Sequence, residues 1–145
     1  MSTAVDSANL ILKLYELRRE DTMRQARNFM FTFHPTSAQE YMAGVMGANG
    51  AFIRMTTSYW EMACSFVVNG AIDATIFNDS NGEHIITFAK VEPFLADLRG
   101  MMGSTTMFKN LEQVCLGPLV GIEKVRATGE RMRGYAAQMA AAAKA

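Results

Sequence analysis

Glu61, Asn69 and Asp73 are the residues of this chain whose surroundings best suit them to chemistry. They interrupt Tyr59 to Asp73, the most apolar stretch of the sequence, which also holds the single tryptophan, Trp60. A carboxylate in apolar surroundings has a raised pKa and suits proton transfer, and a buried amide must find a partner. Tyr59 and Trp60 offer an aromatic surface for a ligand or an interface. Tyr59, Trp60, Glu61, Asn69 and Asp73 therefore form the candidate ligand-binding set. The competing reading is structural. Helical spacing puts Tyr59, Met62, Phe66 and Asn69 on one inward face and moves Glu61 to a flank, two turns after Arg54, where an ion pair would suit it. On that reading the stretch is the central packing helix, and Asn69 is its most deeply buried polar residue.

Other reactive side chains are scattered. His34 and His84 stand alone in turn-like contexts, without the H-x-x-x-H or C-x-x-C spacing of a metal site, and read as surface or capping histidines. Cys64 and Cys115 lie far apart in apolar helical patterns and read as buried, reduced thiols. No glycine-rich phosphate loop, G-x-S-x-G elbow or paired-cysteine motif occurs. The sequence assigns no catalytic residue, no metal ligand and no cofactor, and it favours a binding or interaction protein over an enzyme.

Arg18, Arg19, Arg24 and Arg27 cluster near the start, and Lys124, Arg126, Arg131 and Arg133 near the end. Either group has the chemistry to hold phosphate, which makes nucleic-acid binding one reading. Glu16, Glu20, Asp21, Glu123 and Glu130 are interleaved with them, so solvated, salt-bridged faces are the better reading. The net charge of +0 supplies no field for nucleic acid or an anionic membrane and does little to oppose self-association. The 12 methionines are many for 145 residues, and flexible thioethers suit irregular cores, partner helices and apolar ligand pockets. A homo-oligomer, most simply a dimer, is the expected assembly.

These residues must be positioned by helices, because the 3.6-residue period dominates and alternating β patterns are nearly absent. Helices are expected from Ser7 to Arg19, from Met23 to His34, and from a Ser37–Glu40 capping box to Met46. The central helix then runs from Ala51 to Asn69, with Gly70 as its C-terminal cap. A short helix over 71–77 precedes the break at Asn78 to Gly82. Ile85 to Leu98 should kink or restart at Pro93, since an interior proline costs about 3 kcal/mol. Ser104 or Thr105 should cap a helix through Cys115, and a last helix from Leu119 should end in an alanine-rich tail. The expectation is an all-α single domain spanning 1–145, an irregular bundle of about six or seven helices, frayed over 1–6 and 136–145. The N-terminus lacks the basic n-region of a targeting segment, and the longest apolar run is broken by Glu61, Asn69 and Asp73, so a cytoplasmic location is expected.

The wording Leu10 to Glu20, then Met23 to Arg27, then Tyr59-Trp60-Glu61-Met62, resembles a group of small uncharacterised bacterial all-helical proteins. The resemblance implies a bacterial cytosolic origin and carries no activity. The leading functional expectation is a self-associating interaction or regulatory module. The alternatives are a small-molecule binder or enzyme with a pocket near Trp60, and nucleic-acid binding through the first arginine group.

Overall fold

A computed structural model describes residues 2–145. Among them are nine α-helices: α1 (Ala4–Leu17), α2 (Asp21–Met30), α3 (Ala38–Met46), α4 (Gly50–Val68), α5 (Ala74–Ser80), α6 (Glu83–Ala89), α7 (Leu95–Met102), α8 (Lys109–Cys115) and α9 (Ile122–Ala143). The all-α expectation holds, and the expected number of helices is too low. Two of the expected breaks separate short helices. Asn81 and Gly82 separate two seven-residue helices, α5 and α6. Pro93 opens a 3-10 turn, Glu92–Phe94, after which α7 starts afresh.

Side-chain and glycine punctuation sets the boundaries. Thr3 and Asp6 form a full capping box at the start of α1. Glu20 caps α2 by accepting from the backbone N–H groups of Thr22 and Met23. Ser37 accepts from Glu40 N as the capping box requires, while the Glu40 carboxylate reaches back one residue further, to Thr36 N. Gly70 takes φ +78° just past α4, a left-handed turn that glycine enters without a Cβ clash. At the α3–α4 corner a Cβ on Gly50 would lie 1.9 Å from the Val45 carbonyl oxygen, so only glycine fits.

Helix α4 is the axis of the bundle, with α2, α3, α6 and α8 packed around it. Its buried residues are Gly50, Ile53, Thr56, Thr57, Tyr59, Trp60, Ala63 and Cys64. That face is rotated from the expected one: Met62 and Asn69 are exposed and Phe66 is only partly covered. A helix apolar on nearly every side gives several faces of similar hydrophobicity, and the neighbours decide between them. Trp60, Phe77, Phe88, Ile53, Ile72, Leu98 and Leu111 are the largest fully buried apolar side chains. Each contributes about 1.5–3 kcal/mol by leaving water. Cys64 and Cys115 are buried free thiols, and burial pushes the Cys115 thiol up to about 12. No helix among the described residues is long and apolar enough to cross a membrane.

Candidate functional site

The five residues singled out by sequence are held by separate structural contacts. Tyr59 donates its hydroxyl to the Leu14 carbonyl, tying α4 to α1. Trp60 is fully buried, edge-on to Tyr59 at 4.9 Å between ring centroids. Glu61 caps α8 from a neighbouring helix. Its Oε1 accepts from Asn110 N at 3.0 Å and Asn110 Nδ2 at 2.8 Å, and its Oε2 from Leu111 N at 2.9 Å. That cap replaces the expected one at Ser104 or Thr105: Phe108 precedes α8 in a left-handed conformation, φ +58°, with no capping side chain of its own. Asn69 ends α4 on the surface, its amide donating to Ser65 O, which corrects its expected burial. Asp73 is exposed and caps α5 through Ile76 N.

Trp60 instead faces Glu83, at the start of α6. The indole Nε1 donates to Glu83 Oε1 at 3.4 Å. Arg27 from α2 grips the same carboxylate through Nε at 2.9 Å and Nη2 at 2.8 Å, a fork that fixes both groups in plane. Arg27 also donates to Arg18 O, and the Arg18 guanidinium lies over the Tyr15 and Trp60 rings at 5.0 and 5.3 Å. Half of the first arginine group thus ends in this inward network, joining α1, α2, α4 and α6. Next to it His84 is fully buried, against the expectation of a surface histidine. Asn78 Nδ2 donates to Ala74 O, so its Oδ1 is left to accept from His84 Nε2 at 3.0 Å. Nδ1 is then a bare acceptor with no partner, and burial pushes the imidazole down to about 4.

The Arg27–Glu83 pair forms one wall of a cleft of about 120 Å³ between α2, α4, α6 and α9. Met30, Phe31, Ile86 and Met132 supply most of its apolar surface. The volume exceeds what one or two ordered waters need and suits a small organic molecule. Besides Arg27 and Glu83, the cleft's polar lining is Asn28, Thr56, Thr87 and Lys90, of which Thr56 and Lys90 stand out. Thr56 is 1% exposed, and its hydroxyl has no hydrogen-bond partner among the described residues. Lys90, capping the end of α6, is 8% exposed. Its Nζ donates to Phe33 O at 3.0 Å and lies 3.4 Å from His34 Nδ1. The ion pairs among the described residues are Arg27–Glu83, Arg99–Glu112 and Arg126–Glu92, so this buried ammonium has only neutral neighbours to hold it. Burial, with Arg133 nearby, lowers its pKa to about 8. His34 is lowered too, first by burial and then by the Lys90 charge.

Residues 3–117 match the family model described as a domain of unknown function, DUF4760. The chain belongs to that family. The matched span contains every stretch on which the sequence resemblance rests, and it contains all the cleft residues named above except Met132. No curated protein and no solved structure matches the chain.

Sequence reading did not single out Glu83, Thr56 or Lys90. Glu83 stands just after a loop signal, where a first-turn carboxylate is commonplace. Thr56 and Lys90 carry no motif. The partners of Glu83 and Lys90 are separated from them by long stretches of chain, and the folded packing brings the groups together.

Proposed function

We propose that this chain is a small-molecule-binding helical domain whose ligand occupies the cleft between α2, α4, α6 and α9. One observation carries the reading: a single cleft collects a buried cation without a carboxylate and a buried hydroxyl without an acceptor. Both arrangements destabilise a fold by on the order of 1–3 kcal/mol unless something completes them. Apolar walls with a few convergent polar groups and a displaced pKa are the usual make-up of a ligand site. The test is a thermal-shift screen of metabolites on the native protein and on Ile86→Trp, which fills the cleft. A ligand that binds the folded state raises the melting temperature of the native protein alone. Equal shifts in both proteins contradict the reading.

Of the five residues around Trp60, Trp60 itself supports the cleft, since its indole holds the Glu83 carboxylate that forms the wall. Self-association is a second reading, favoured by α9. From Gly134 onward α9 is almost entirely exposed, with Tyr135 at 45% and Met139 at 56%. A helix segment this short is marginal alone in water, and a second copy would cover its apolar side. Size-exclusion chromatography with light scattering should give a dimer, and a strict monomer over a wide concentration range removes this reading.

A further inference from the structure

We propose that the cleft selects a small amphiphilic anion, a carboxylate head on an apolar body, with the head held by Lys90 and Thr56. The inference rests on the cleft being a ligand site and goes on to name the ligand's chemistry. Two side chains that the fold leaves unanswered line the cleft: the Lys90 ammonium at the end of α6 and the Thr56 hydroxyl on α4. The acids nearby do not neutralise Lys90. Glu83 is gripped by Arg27 and Glu92 by Arg126, while Glu130 shares a shallow groove with Arg133 without forming an ion pair with it. Lys90 is the decisive member, because a buried ammonium held only by a carbonyl and an imidazole has an unanswered charge. A carboxylate supplies that charge, and Thr56 offers a further donor in the same cleft. Met30, Phe31, Ile86 and Met132 then take a short aliphatic or aromatic body. The limited volume favours a compact singly charged head over a bulky one.

The experiment compares three probes that share one body and differ in the head: hexanoate, hexanol and hexylammonium. Binding is read by calorimetry on the native protein, on Lys90→Met and on Thr56→Val. Met keeps the length and apolar stem of Lys90, and Val keeps the shape of Thr56, so at least one variant retains the fold. The expected result is hexanoate bound about tenfold or more tighter than hexanol. Hexylammonium should be the weakest of the three. The preference should vanish in Lys90→Met and shrink in Thr56→Val. Equal binding of hexanoate and hexanol, or a preference that survives both substitutions, overturns the anion inference and leaves the cleft as a ligand site. Failure of all three probes to bind overturns the ligand-site reading along with it.

Discussion

Glu83 accepts a hydrogen bond from the Trp60 indole while Arg27 grips it from the other side, so one carboxylate joins the centre of α4 to α2 and α6. Both members of the ion pair remain partly exposed. Solvent therefore weakens the charge term, and geometry contributes more than Coulomb energy. Glu83→Gln should lower stability by about 1 kcal/mol. The effect is read as an earlier urea midpoint with an unchanged slope. Trp60 fluorescence should shift as the indole loses its charged partner. An unchanged midpoint would mean that the pair is mere surface decoration.

Glu61 does for α8 what Ser37 does for α3, but from another helix. Three donors converge on its carboxylate, two of them backbone N–H groups that a helix start leaves open. Glu61→Ala should cost about 1–2 kcal/mol, the usual range for loss of a helix cap. Amide exchange should accelerate at Asn110 and Leu111 before it does so in α4. Uniform acceleration across the protein would contradict the assignment of Glu61 as a local cap.

His84 predicts acid sensitivity. Its folded pKa, about 4, lies below its ordinary value of 6.5, because burial and, secondarily, the charges of Lys124 and Arg18 disfavour the imidazolium. The unfolded chain therefore binds the extra proton first. Stability from this group is intact above pH about 6.5 and is lost as pH falls toward about 4, by on the order of 3 kcal/mol. His84→Gln should flatten the urea midpoint across that window, whatever its effect at pH 7. A native midpoint constant from pH 7 to pH 4 would refute the buried neutral histidine.

Thr56 and Lys90 should reveal a conflict between stability and binding. Thr56→Val removes an unpartnered hydroxyl while keeping the shape, and should stabilise the protein by about 1 kcal/mol. Lys90 is held to about 8 against an ordinary 10.5, so the folded state pays for its charge at neutral pH, and native stability rises as pH climbs from 8 to 10.5. Lys90→Met removes that penalty and strands the Phe33 carbonyl, for a net gain of about 1–2 kcal/mol at pH 7. It should also abolish the rise above pH 8. Loss of stability in both variants would show that the two residues are retained for the fold rather than for a ligand.

The helices were largely legible because their punctuation is local. Ser37, Gly70, Pro93 and the Asn81-Gly82 break act within a few residues of themselves, and each marks a boundary in the fold. The inward face of α4 was not legible, since Met62 and Phe66 are as apolar as Ala63 and Cys64, and only contact with α2 and α8 chooses between them. The site was less legible still. Glu61 drew attention because it sits in an apolar run, yet its partners lie on α8, and Lys90 drew none because its burial depends on the turn after α2.

The most direct test of the ligand cleft is a methyl-resolved NMR titration of the native protein with a short aliphatic carboxylate. Saturable shifts confined to Met30, Ile86 and Met132, with the exposed Met46 and Met101 unmoved, are the expected result. Shifts spread over the exposed methionines, with the three cleft residues silent, would contradict it.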